Sequence, residues 1–212
     1  MACKKISIIG CGGSGKSTLS IKLGRKLNIP VVHLDQIFWT DNWVPITKEE
    51  FDEIVENELK KDKWIIDGNY NRTIQKRFEE SDTIIYLDFP TIICIFGVIK
   101  RVISNYGKTR IDMADNCPEK FDIDFLKWVW NFNKKNRNKY LNMLKKVEGK
   151  KIYILHNRQE VRKLLDTIWW NKVYFKYRIL YKGGFYENKN REIKILKVVS
   201  KQTKWIDCLF KR

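Results

Sequence analysis

Short apolar runs alternate along the chain with longer segments in which apolar positions return every three or four residues. Ile6, Ile8 and Ile9 form a β-branched run suited to a buried strand. Four more runs read the same way: VVHLD (31–35), KWIID (63–67), TIIYLD (83–88, stopped by Pro90) and KIYIL (151–155). Between them the period changes. Leu19, Ile21, Leu23 and Leu27 are mixed with Lys22, Arg25 and Lys26, as on an amphipathic helix. Residues 47–62 predict a second helix, with Thr47 as its N-cap and Glu50 three residues on as a capping-box partner. Its acidic start and lysine-rich end match the helix dipole. A Gly68-Asn69 turn then leads into a helix reaching Glu80, and further helices are predicted over about 91–105 and 124–147. In the last, Phe125, Trp128, Val129 and Phe132 form a stripe expected to face the core. Residues 106–122 are polar and predict a connector. Strands alternating with helices imply an α/β fold around a parallel five-stranded sheet.

The junction of the first strand and first helix carries chemistry. Gly10, Gly15, Lys16 and Ser17 in GCGGSGKS satisfy G-x-x-x-x-G-K-[ST], a phosphate-binding loop between the strand and helix it requires. Gly12, Gly13 and Gly15 permit close backbone approach to a phosphate. Successive N–H groups, with Ser14 and Thr18 beside them, can then surround an anion at the helix start. Lys16 is suited to β- and γ-phosphate oxygens and the Ser17 hydroxyl to Mg²⁺. ATP with Mg²⁺ is the expected ligand. In a parallel sheet, ligands gather beyond the carboxyl ends of the strands. Those ends here offer His33 and Asp35, Asp67 to Arg72, Asp88, and His156 to Arg158.

At 212 residues the chain can bury a full core, and no apolar run is long enough to span a membrane. An interrupted apolar start argues against a signal peptide. The five cysteines are odd in number and lack a C-x-x-C pair, so they predict reduced, cytoplasmic thiols rather than disulfides or zinc. Of the net charge of +17, residues 166–212 carry +8, from 12 Lys and Arg against 4 Asp and Glu. Aromatics interleave with these cations. That basic extension suits nucleic acid or an anionic membrane surface, and equally a solvated basic face.

Taken together, IIGCGGSGKSTL, HLDQIFW, WIIDGNYNRT, TIIYLDFP and GKTRIDMADNCPEKFD resemble the topology modulation protein family, small P-loop proteins similar to adenylate kinase and shikimate kinase. The resemblance spans residues 4–165. It implies a nucleoside-monophosphate-kinase-like three-layer sandwich over residues 1–165, followed by the extension at 166–212. It also implies roles for single residues. Asp67 matches the aspartate of the adenylate-kinase D-G segment and would hold Mg²⁺ through water or orient the acceptor. Arg72 corresponds loosely to that segment's arginine. Asp35 resembles the acceptor-side aspartate of shikimate-type kinases, and His33 is expected to pack at a strand end or touch substrate. Adenylate-kinase-like enzymes place two lid arginines one turn apart after the fourth strand. Here Gly97 stands at the first position and Arg101 at the second, leaving Arg110 of the connector, a lid over about 106–122, to compensate. Arg158 follows the last strand, where related kinases wrap the adenine ring.

Two functions follow. One is a kinase that transfers the γ-phosphoryl group of ATP to a small acceptor such as a nucleotide, nucleoside or other hydroxyl metabolite. The alternative is an ATP-switched nucleic-acid-binding protein that affects DNA topology.

Overall fold

Five strands form a parallel sheet in a computed structural model that describes residues 3–167; the expectations for the basic extension beyond residue 167 lie outside the described residues. The strands are β1 (Lys5–Gly10), β2 (Val31–His33), β5 (Trp64–Asp67), β6 (Thr83–Leu87) and β7 (Lys151–Leu155). Their spatial order is β2-β5-β1-β6-β7. A two-stranded antiparallel piece, β3 (Trp39–Thr40) with β4 (Val44–Pro45), forms a separate small sheet. The helices are α1 (Lys16–Leu27), α2 (Leu34–Phe38), α3 (Lys48–Leu59), α4 (Ile74–Glu80), α5 (Thr91–Asn105) and α6 (Ile123–Lys145), and residues 158–167 are helical as well.

The predicted alternation is borne out, and the order explains where a ligand can sit. The chain runs from β1 out to β2 at the sheet edge, returns inward to β5 beside β1, then crosses to the far side of β1 for β6 and β7. The connections leaving β1 and β5 therefore diverge, and a crevice opens beyond the carboxyl end of β1. The phosphate-loop sequence begins at that point.

Side chains of the central strands are buried on both faces. Ile6, Ile8, Ile9, Ile84, Ile85 and Tyr86 join the main core with Leu19, Leu23, Phe132 and Leu144. A second apolar cluster under α3 comprises Leu34, Phe51, Val55, Leu59, Trp64 and Ile66. Thr47 caps α3 as expected, its hydroxyl accepting from the Glu50 N–H at 3.2 Å. The stripe on α6 needs one correction. Val129 and Phe132 are buried, but Trp128 is 45% exposed and stacks on Phe125 instead. Trp39 and Trp43 are half-buried and meet edge to face.

One buried cation was not anticipated. Arg77 of α4 is fully enclosed, and its guanidinium donates to the carbonyls of Gly68 at 3.0 Å and Asn69 at 2.8 Å. Burial pushes its pKa down to about 10, against the charges of Tyr140 and Asp67. The loop after β5 is thus pinned from beneath by a side chain that supplies its missing donors.

Candidate active site

Beyond β1 the backbone turns through Gly13 (φ 77°) and Gly15 (φ 95°), left-handed conformations that disfavour a Cβ, before α1 begins at Lys16. The Lys16 ammonium donates to the Cys11 carbonyl at 3.1 Å, folded back over its own loop. Asn69, at the end of β5, clasps the loop's first residue. Its amide donates to the Gly10 carbonyl at 2.9 Å and accepts from the Gly10 N–H at 3.1 Å. That side chain continues the sheet's ladder where the backbone stops.

Gly12 corrects one expectation for the loop. The motif groups it with Gly13 and Gly15 as a residue that admits phosphate, but it is buried and does not line the cleft that those two face. A Cβ on Gly12 would meet Phe125 Cζ at 2.8 Å and Val129 Cγ2 at 3.2 Å. The missing side chain there makes room for α6, so Gly12 serves packing behind the loop rather than ligand contact in front of it.

Helix α5 approaches the loop so closely that two glycines are required. A Cβ at Gly97 would lie 2.1 Å from the Gly13 carbonyl oxygen, and one at Gly13 would lie 2.2 Å from the Cys94 carbonyl oxygen. The expectation of a missing phosphate clamp at residue 97 therefore takes another meaning. No arginine can stand there on this backbone, because the helix lies directly against the loop. Cationic side chains enter from Lys100 and Arg101 instead, which line the same cleft.

That cleft, of about 510 Å³, is lined by the loop residues Gly13, Gly15, Lys16, Ser17 and Thr18, with Arg101, Arg110, Asp112 and Arg158 among the groups facing them. A second hollow, of about 240 Å³, shares Gly15, Thr18 and Arg158 with it. Ser14 lies there, and its walls include Leu87, Phe89, Val161 and Leu165. A polyanion and a flat apolar group joined to it would find matching surroundings in the two halves.

The connector is folded, contrary to its solvated composition. Residue pairs Tyr106–Glu119 and Thr109–Pro118 form bridges, and the Gly107 N–H donates to the Glu119 carbonyl at 2.9 Å. Glu119, 3% exposed at its side chain, lies between two guanidiniums, 2.9 Å from Arg101 Nη2 and 2.8 Å from Arg110 Nε. Arg110 also pairs with Asp112 at 2.9 Å. Burial and then the charge of Arg110 hold the Arg101 guanidinium below its ordinary value, against the pull of Glu119. Burial also opposes the charged form of Asp112. Arg110, the Ser17 hydroxyl and His33 outweigh it, so that carboxyl titrates below its usual range. At its far end the connector reaches the β3–β4 turn, where Cys117 Sγ lies 3.2 Å from the Thr40 carbonyl oxygen.

The remaining expected residues fall into four places. Asp35, at the start of α2, accepts from the Tyr70 hydroxyl at 2.8 Å; burial, then Asp35's charge and hydrogen bond, push the Tyr70 pKa upward and keep it a donor. Asp67 is buried, bonded to the Ser20 hydroxyl of α1 and, at 2.8 Å, to His33 Nδ1. His33 and Asp67 are register partners on β2 and β5, so sheet pairing brings them together. Arg72 is exposed and forks onto Asp52 of α3, away from the cleft lining. Asp88, at the end of β6, is held by Arg137 of α6 through two donors at 2.8 Å. Sequence reasoning gives no individual role to Asn69, Tyr70, Asp112 or Glu119. The alternation of basic and acidic positions in KTRIDM is the one sequence signal for Asp112.

No described helix is long and apolar enough to cross a membrane, and no cluster of three or more His, Cys, Asp or Glu suited to a metal ion occurs among the described residues. No protein-family model and no curated protein matches the chain, so the resemblance to topology modulation proteins rests on its motifs alone. Among solved structures, the chain is similar to a shikimate kinase from Acinetobacter baumannii in complex with shikimate. That match has 16% identity and a TM-score of 0.53, over 82% of this chain and 95% of that one. A gluconokinase from Sinorhizobium meliloti 1021 aligns at 12% identity and a TM-score of 0.47, over 86% of this chain and 99% of the other. The fold is that of the P-loop kinases.

Proposed function

We propose that the protein is a small-molecule kinase that transfers the γ-phosphoryl group of ATP to a hydroxyl-bearing acceptor. One observation carries the reading: a single cleft gathers Lys16, Ser17, Arg101, Arg110 and Arg158, and a partly apolar hollow beside the same loop shares Gly15, Thr18 and Arg158 with it. Phosphoryl transfer needs positioning and positive charge around the moving group more than covalent chemistry. The loop N–H groups and Lys16 hold the β- and γ-phosphates, Arg101 and Arg110 close over them from α5 and the connector, and Arg158 lies between phosphates and base.

The Ser17 hydroxyl, a hard oxygen at the start of α1, suits magnesium, and phosphate oxygens of a bound nucleotide would supply further ligands. A bound magnesium ion would neutralise charge on the β- and γ-phosphate oxygens. On the acceptor side, Asp35 is the base. Tyr70 holds one of its oxygens by donating to it, and the other is left to receive the acceptor's proton. His33 and Asp67 act from behind, fixing the ends of β2 and β5 against α1.

The test is an ATP-consumption screen over nucleotides, nucleosides and hydroxyl metabolites, with Lys16→Ala as the blank. One acceptor should stimulate turnover, and Asp35→Ala should abolish that stimulation. Stimulation by DNA alone, lost on removing residues 166–212, would instead favour the nucleic-acid-binding reading.

A further inference from the structure

Asp112 is out of place in a site built for a polyanion. The cleft otherwise presents cations, yet this carboxylate lines it beside Ser17 and is only 6% exposed. Its Oδ2 pairs with Arg110 Nη1 at 2.9 Å, and the side chain lines the same cleft as Lys16 and Ser17. A phosphate chain entering the loop therefore meets a fixed negative charge at the hydroxyl expected to bind the metal. Carboxylate and phosphate can share that space when a divalent cation lies between them.

We propose that Asp112 is a metal-side residue of the nucleotide site. Its carboxylate contacts the divalent cation of a metal–nucleotide held at Ser17, directly or through one of the ion's waters. The inference rests on the kinase reading's nucleotide site and adds a consequence to it. Asp112 belongs to the connector, in which Glu119 holds Arg101 and Arg110. The metal-loaded nucleotide would therefore fasten the connector over the cleft, whereas the nucleotide alone would be repelled by it. Closure, which excludes water from the phosphates, is in this way tied to the presence of the metal.

The experiment measures ADP affinity by calorimetry on the full chain, once with Mg²⁺ and once with EDTA. Wild type should favour the metal-loaded form. Asp112→Asn should shrink that preference by about 10-fold or more, in the range of lost carboxylate support at metal sites. Its effect should have two signs, weaker binding with Mg²⁺ and tighter binding without it. Arg110→Met controls for a purely latching role and should weaken both forms alike. The broadening of the Mn²⁺ paramagnetic resonance signal in the Mn·ADP complex gives a second readout, and thermal melting of Asp112→Asn checks its folding. An unchanged preference in Asp112→Asn, or an equal loss in both conditions, overturns the assignment. If ADP binding is present and lost in Lys16→Ala while that preference persists, Asp112 alone is misassigned. If wild type binds ADP in neither condition, the nucleotide site itself falls.

Discussion

Replacing Gly97 by alanine tests the central packing claim with one methyl group. In a helix interior, alanine is favoured over glycine by about 1 kcal/mol, so propensity alone predicts stabilisation. Against this, the new Cβ would start 2.1 Å from the Gly13 carbonyl oxygen and 2.9 Å from its carbon. Unstrained contacts need roughly 3.5 Å, so helix and loop must separate by about 1 Å. Overpacking of this kind costs about 1–3 kcal/mol. The upper end applies, because the opposing atom is backbone in a left-handed turn and cannot rotate aside. The net expectation is a loss of about 2 kcal/mol, or a melting point lower by about 4–8 °C. The functional effect should be larger, since a 1 Å displacement of a positioning element costs about 100-fold in turnover. Differential scanning fluorimetry and nucleotide titration read both. A Gly97→Ala protein that melts higher than wild type and binds nucleotide equally well would refute the close contact.

Two other outcomes follow from the charged groups. Burial opposes protonation of His33, but the hydrogen bond and charge of Asp67, then Asp112 and Asp35, outweigh it and raise its pKa above the ordinary 6.5. Its protonated form therefore stabilises the fold fully below about pH 6.5, and that contribution is lost as pH rises through the folded value. Proton NMR should show one of the two imidazoles titrating above 6.5, and His33→Gln should remove that pH dependence from the stability profile; a His33 pKa at or below 6.5 contradicts this. In Glu119→Gln, two guanidiniums lose the carboxylate between them, so trypsin should cut the connector faster at Lys108 or Arg110, and ADP should restore protection. Unchanged cleavage would mean that Glu119 does not hold the connector.

The elements were legible wherever a single segment carries its own signal. Pro90 and the apolar spacing that follows mark α5, Thr47 marks the start of α3, and the glycine pattern marks the loop. What stayed hidden depends on pairs far apart in sequence. Arg77 reads as one more exposed cation on a short helix, because its partners are backbone carbonyls with no residue-type signature. Asp112 and Glu119 read as solvated because the connector is polar, yet their partners Arg101, Arg110 and Ser17 enclose them. Asp67 was assigned to the cleft by its place at a strand end. Register puts its Oδ2 against both His33 and Ser20 instead, a difference of side-chain direction that spacing does not carry. The motif likewise treats its glycines as equivalent, although Gly12 turns toward Phe125 and Val129 of a helix more than 100 residues away in sequence. Gly97 looked like a deficit in a comparison of residue types, whereas it records how near two backbones come.

The position of β1 also has a consequence for how the chain is made. Its neighbours on either side arrive late: the Gly10–Asn69 clasp spans 59 residues, and the Lys4 N–H reaches Asp82 across 78. At about 5–20 residues per second, synthesis delivers those partners roughly 3–16 s after β1 has emerged. For that interval Ile6, Ile8 and Ile9 form a β-branched strand with both edges open, the state most prone to pairing with another chain. Closing the sheet then demands contacts of high sequence separation, which slows folding relative to a helical protein of equal size. Of the five sheet strands, the one that carries the loop into the centre of the molecule is made first and waits longest for its hydrogen-bond partners.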